Sequence, residues 1–424
     1  MKKIVQTQLS IMMFLQFFIW GAWFVTMGRY LIRLGFDGTD LGTAYSTTGW
    51  AALISPFLVG MAADRFFSTE KVLAVMHFLG AILMFWVSTV TDSALFFWIL
   101  LGYTLCYMPT LALTNSISFA QMTNPEKEFP PIRVLGTIGW IASGLLVGFM
   151  PKYFTGLDTI EDTAIPMRIA AGASLVMAIY CLFLPHTPAK SKGRKVSVGD
   201  VLCFKALGLL KDRSFAVFML CSLLICIPLA FYYQSANIFL GEIGVRNPAA
   251  KMTMGQMSEI LFMLILPFFL VRLGVKKMLL VGMAAWTLRY TLFAFGNTES
   301  ATMTSFLYIG ILLHGICYDF FFVTGQIYVN KKAPDDIRAT AQGFLALVTL
   351  GAGMIIGNVI NGVITKHYSI VSIVEDGGAM VESTQHQWQN IWLIPAVMAF
   401  AVLAAFAILF KNNAEQRETI ETAK

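Results

Sequence analysis

Residues 389–410 read QNIWLIPAVMAFAVLAAFAILF, 22 residues without one charged side chain. Wound as a helix rising about 1.5 Å per residue, such a run crosses roughly 30 Å of hydrocarbon. Eleven further apolar segments lie near 8–30, 41–62, 71–90, 93–120, 132–151, 166–185, 213–240, 253–271, 277–296, 302–329 and 339–364. With 57% hydrophobic and 13% charged residues, the chain has too little charge to cover a soluble surface, so the bilayer is its solvent. The expected fold class is an all-α membrane protein of twelve transmembrane helices.

The opening Met1-Lys2-Lys3 and the apolar run Leu9 to Met27 have the outline of a signal peptide. The run is too long and no small-x-small site follows, so an uncleaved first helix is expected. Cys106, Cys181, Cys203, Cys221, Cys226 and Cys317 lie mostly inside apolar runs without metal-ligand spacing, and read as small core residues. Neither a metal nor a cofactor is called for.

Twelve spans put both termini on one side, and charge says which. The termini and even-numbered loops carry 21 of the 30 Lys and Arg, the other loops 7, with Arg133 and Arg289 inside spans. By the positive-inside rule both termini are cytoplasmic, in a multi-pass protein of a bacterial inner membrane. The +6 net charge follows topology rather than one basic surface, so lipid headgroups are the expected partner and nucleic acid is not. A monomer is expected.

The longest basic polar stretch, His186 to Arg213 with HTPAKSKGRK, separates spans six and seven. It divides the chain into a six-helix half at 1–185, a cytoplasmic linker at 186–212, a second half at 213–410 and a tail at 411–424. Weak internal symmetry supports two halves: SPFLVGMAADRF (55–66) and LPFFLVRLGVKK (266–277) each set a Pro-Phe before basic groups, and Ile132-Arg133 and Ile337-Arg338 each precede a glycine-rich span. Pseudo-symmetric halves of this kind recur in transporters with a site at their interface. Gly144/Gly148 and Gly353/Gly357, four apart, make smooth stripes for close helix packing.

Ionisable groups in mid-span cost about 2.5–3.5 kcal/mol each on insertion scales and mark function. Here they are Arg133, Glu259, Arg289, His314 and Asp319, with His77 nearer an end. Arg133, Thr137 and Trp140 follow i, i+4, i+7 spacing and form one stripe; Gln256 and Glu259 share a face; His314 and Tyr318 are four apart, beside Asp319. Gln16, Trp20 and Trp23 repeat the pattern on span one, where the two tryptophans equally suit an interfacial belt. Donors, acceptors and rings together suit a neutral polar ligand with a flat part. Bland readings stand beside these: Arg289 as partner of a carbonyl or carboxylate, His77 and His314 as satisfied core histidines, Glu259 as half of a buried ion pair with Arg133 or another cation. A carboxylate withdrawn from water holds its proton more tightly and can load it on one side and release it on the other. Glu259 is the expected proton-coupling acid, with Asp319 its competitor.

GMAADRF at 60–66 is similar to the loop between helices two and three of the major facilitator superfamily, with Gly60, Asp64 and Arg65 in the pattern of that gating loop. FLQFFIWGAWF (14–24), YMPTLALTNSISF (107–119), FPPIRVLGTIGW (129–140), GQMSEILFMLILPFF (255–269) and YDFFFVTGQIYVNKKAP (318–334) resemble the nucleoside:proton symporter family of that superfamily, from about Leu9 to Phe410. The resemblance implies the twelve-helix facilitator fold and proton-driven nucleoside uptake through a central cavity. It implies binding roles for Arg133, Thr137, Gln256 and Glu259, and aromatic positions at Trp140, His314 and Tyr318 where well-known members carry Phe, Tyr and Phe. Asp319 also matches. On span seven the family's Gln and Asn give way to Ala230 and Tyr233, with Gln234 and Asn237 on other faces or levels, and Tyr233 is the binding candidate of that span.

That departure motivates an alternative, a proton symporter of the same fold for a sugar or a sugar-derived cell-wall fragment. A second alternative is a membrane enzyme or sensor without transport. No His-Glu-x-x-His, Gly-x-Ser-x-Gly or phosphate-binding glycine loop favours an enzyme, and a 14-residue tail after Phe410 leaves a sensor no output domain.

Overall fold

Where water is absent a backbone must satisfy its own hydrogen bonds, and an apolar chain does this as helix. The structure, a computed structural model, describes residues 2–62, 67–149, 156–188, 203–334, 337–376 and 379–411. Its helices are α1 (Lys3–Trp23), α2 (Met27–Arg33), α3 (Gly38–Ala62), α4 (Thr69–Val87), α5 (Ser93–Gln121), α6 (Pro125–Phe149) and α7 (Ile165–Cys181). They continue with α8 (Arg213–Glu242), α9 (Pro248–Phe295), α10 (Ala301–Leu312), α11 (His314–Tyr318), α12 (Thr324–Lys332), α13 (Arg338–Ala346), α14 (Met354–His367) and α15 (Trp388–Leu409). Side-chain caps start three of them: Asp92 accepts from the Leu95 amide, Asp212 from that of Phe215 and Ser300 from that of Met303.

Among the described residues nine helical stretches are long and apolar enough to cross a membrane, and α7 is a shorter apolar one. One of the nine, α9, runs for 48 residues, more than two crossings need. Gly274, at φ 70° and ψ 172°, interrupts it between the segments read from sequence as spans eight and nine. Only a residue without Cβ takes that conformation readily, so the joint of the two spans is a single glycine rather than a loop. The tenth segment is also subdivided: α10, α11 and α12 are joined through Leu313 and a π turn at Asp319–Val323, and a second π turn at Leu347–Gly353 joins α13 to α14.

The expectation of an all-α chain needs one correction. An antiparallel hairpin pairs β1 (Ser369–Asp376) with β2 (Ala379–His386), Ser369 opposite His386 and Asp376 opposite Ala379. The segment SIVSIV is rich in β-branched residues and too short to span, which favours strand. Glu242 at the end of α8 holds the base of the hairpin through the amide and ring Nδ1 of His386, at 2.7 and 2.8 Å.

Early in the chain α1 packs on α6 and α7, α4 on α5 and α7, and α3 on α5; later, α9 packs on α15 and α8 on α14 and α15. The two most extensive contacts between these series are α3 on α14 and α6 on α9. Glycine makes both possible. A Cβ at Gly144 would sit 2.6 Å from Thr253 Cγ2, and one at Gly148 2.6 Å from Ala250 Cβ. On α3, a Cβ at Gly38 or Gly42 would lie 2.5 Å from the carbonyl of Gly362 or Asn358. Gly353 and Gly357 instead face Cys226 and Ala230 of α8.

Asp64 and Arg65 lie outside the described residues, and of Gly60 only its place in α3 is described. Residues 189–202 of the linker and the tail after 411 also lie outside them.

Candidate functional site

A cavity opens among α1, α3, α5, α6, α8, α9, α11 and α14. The stripe on α6 faces it whole: Arg133, Thr137 and Trp140 line one wall, because 3.6 residues per turn bring positions 0, 4 and 7 to one side. Gln256 and Glu259 approach from α9, His314 and Tyr318 from α11, and Tyr233 from α8. All eight residues singled out as substrate-binding candidates therefore border one space. Asp319 does not border it. It starts the π turn behind Tyr318, fully buried, and among the described residues neither carboxylate oxygen has a hydrogen-bond partner.

The walls carry opposite charges. Arg133 extends over the ring of Phe17, with its guanidinium carbon 4.3 Å from the centroid. From α9, Glu259 Oε2 lies 3.7 Å from His314 Nε2. Rings fill the rest: Trp140 meets Trp20 edge-on at 5.6 Å, Phe24 and Tyr233 are 5.5 Å apart, and His314 and Tyr318 5.7 Å. Such a space grips a flat polar solute by its faces and offers donors and acceptors to its edge.

Several expectations change. The stripe on α1 divides: Trp20 faces the cavity, Trp23 is buried against Tyr103, and Gln16 donates to Thr110 at 2.7 Å and pairs with His77 Nε2 at 3.1 Å. Both tryptophans pack inward, Trp20 against Tyr107 of α5 and Trp140 of α6, and Trp23 against Tyr103 of α5. Arg289 meets no carboxylate among the described residues; its partners are His314 Nδ1 at 3.1 Å and the face of Tyr232 at 3.5 Å. On α8, Ala230 packs against Gly357 rather than the cavity, and the residues that line it are Leu229 and Tyr233, one turn apart. Sequence reading passed over Phe17, Phe24 and Leu229, although Phe17, Trp20 and Phe24 stand at i, i+3, i+7 on one apolar helix.

The end of the bundle remote from the N-terminus is fastened by groups that no motif marked. Glu161, in the turn before α7, is fully buried and receives a 2.8 Å hydrogen bond from Asn237 Nδ2 of α8 and another from the Ala249 amide in the first turn of α9. Arg29 of α2 lies 3.6 Å away. A carboxylate against free amides at a helix start is favourably placed. Alongside, Lys366 Nζ at the end of α14 donates to Asp37 at 2.7 Å.

Residues 3–415 match the family described as Nucleoside H+ symporter. The chain is 46% identical over 406 residues to the putative nucleoside transporter YegT of Escherichia coli K12, covering 96% of this chain and 94% of that protein. It is 33% identical to the xanthosine permease of the same organism, covering 96% of each. The crystal structure of the nucleoside transporter NupG superposes with a TM-score of 0.83 at 32% identity, over 96% of this chain and 100% of that one.

Proposed function

The chain belongs to the nucleoside H+ symporter family, and from that premise we propose that it imports nucleosides, coupled to protons, by alternating access. In this reading it is a twelve-helix major facilitator protein of a bacterial inner membrane, with both termini cytoplasmic. Two six-helix halves, 1–185 and 213–410, rock about the cavity. The arrangement fastened at Glu161 and Lys366 is the one closed to the outside.

One observation carries the proposal: a cation, a carboxylate, an amide, a hydroxyl and several rings, from both halves of the chain, border one space. The rings sandwich a base while the polar groups bind its edge and the ribose. Glu259 is the proton-coupling acid, since it alone among the described carboxylates borders the cavity; Asp319, buried behind Tyr318, is its competitor. Counterflow in proteoliposomes with labelled nucleosides and sugars, at two external pH values, tests it. Exchange of nucleosides but not sugars is expected, and absence of nucleoside exchange at millimolar concentration overturns the reading.

A sugar-derived substrate is the second reading, favoured by the α8 wall, where Leu229 and Tyr233 present no amide. The sugar arm of the same assay decides between them.

A further inference from the structure

Arg289 is fully buried and does not border the cavity, yet it touches a residue that does. Its Nη1 lies 3.1 Å from His314 Nδ1. A guanidinium has donors and no acceptor, and it keeps its charge throughout the accessible pH range. Facing it, Nδ1 must present a lone pair, and a neutral imidazole with an unprotonated Nδ1 carries its hydrogen on Nε2. That nitrogen is the one turned to Glu259, 3.7 Å from Oε2.

The surroundings hold both groups in place. Tyr232 of α8 lies under the guanidinium at 3.5 Å and stacks on the His314 ring at 5.3 Å. A Cβ at Gly255 would approach His314 Cβ to 3.0 Å, so α9 packs directly against this turn. The charged and titratable groups around the ring are Arg289 and Glu259 of α9, Tyr232 of α8, and Tyr318 and Asp319 beside it, with Arg133 across the cavity.

We propose that Arg289 is a positioning residue that locks His314 into its neutral Nε2–H tautomer, making this point of the cavity wall a hydrogen-bond donor only. Towards Glu259 the donor steadies the carboxylate. Towards a substrate it selects a lone pair, such as the oxo group or unprotonated ring nitrogen of a base. The substrate half rests on the nucleoside reading above; the tautomer half does not.

Nitrogen-15 NMR of histidine-labelled protein in nanodiscs tests the tautomer. The chain has five histidines, and a His314→Gln difference spectrum assigns this one. An unprotonated Nδ1 with a protonated Nε2 is expected in the wild type, and a mixture of tautomers in Arg289→Met. A wild-type ring protonated on Nδ1, or an unchanged tautomer in the variant, overturns the proposal; if Arg289→Met fails to fold, the wild-type spectrum still decides. Uptake kinetics supply a second readout. Arg289→Met should raise KM for uridine about fivefold, the size of one weakened hydrogen bond, and by under about twofold in a His314→Gln background. Equal effects in both backgrounds mean that Arg289 acts on packing alone, and sink the proposal. If the wild type transports no nucleoside while the spectrum shows Nε2–H, the nucleoside reading falls and the tautomer assignment stands.

Discussion

Asn237 Nδ2 donates a 2.8 Å hydrogen bond to the buried carboxylate of Glu161, tying the turn before α7 to the last turns of α8. Together with the Ala249 amide and Arg29, it makes one side chain the meeting point of four elements.

This latch should respond to pH. Burial pushes the Glu161 carboxyl above its ordinary 4.5, with Arg29 and Asn237 pulling the other way. A carboxyl raised in the closed arrangement and ordinary when exposed favours closure fully below about 4.5, and the preference fades as pH rises through the raised value. Spin labels on the turns at Gly35 and Gly244 should therefore report a more closed population at mild acid than at neutral pH. Glu161→Gln, uncharged throughout, should stay closed and lose the response. A response that persists in that variant assigns it elsewhere.

The neighbouring pair should not respond. Burial opposes ionisation of Asp37, but hydrogen bonds from Lys366 and Thr39 outweigh it and hold the carboxyl at about 2. What it contributes is present above its ordinary 3.8 and lost only as pH falls through about 2. Asp37→Asn should widen the label separation equally at every pH from about 5 to 8.

Under the proposed function, Glu259→Gln should abolish accumulation driven by an imposed pH gradient while leaving counterflow measurable. The ratio of the two rates, wild type against variant, is the measurement. Gradient-driven uptake equal to the wild type's moves the coupling role to Asp319.

Tyr233 is the ring that α8 contributes to the cavity. Stacking on a base is worth about 1–3 kcal/mol by alanine substitution, so Tyr233→Ala should raise KM for a nucleoside by roughly 5- to 150-fold. Tyr233→Phe should stay within about threefold, because it keeps the stacking face.

At Gly42 there is no room for a side chain: a Cβ would lie 2.5 Å from the Asn358 carbonyl. Gly42→Val should cost about 1–3 kcal/mol in the closed arrangement through overpacking. A lower Tm, with greater labelling of cysteines placed on α14, is the expected outcome.

The spans were legible because a bilayer leaves an apolar chain little choice but helix. The cavity side chains were legible because each stripe lies within a single helix, where 3.6-residue spacing fixes the face: Arg133, Thr137 and Trp140 needed no knowledge of their neighbours. What escaped the sequence lies between helices. Nothing local distinguishes Glu161 from any loop carboxylate, since its partners come from α2, α8 and α9. Arg289 carried no sign that its partner was a ring nitrogen, because that pairing needs α10 and α11 folded back on α9 through the turn at 296–300. The hairpin was missed for another reason: SIVSIV is too short to span and lacks the period-2 alternation of apolar and polar residues that marks a strand.

The π turn at Asp319–Val323 carries a consequence for how such a chain diversifies. A π turn accommodates one residue more than the α turn it replaces. Deleting a residue elsewhere in a helix swings everything beyond it by about 100°, whereas deleting one here relaxes the turn to α and leaves α11 and α12 docked as before. Only the short run Asp319 to Val323 is re-indexed, exchanging which of its side chains, Phe322 among them, reach the cavity and which are hidden. Single-codon deletions at this point offer a route to altered selectivity that spares the rest of the bundle.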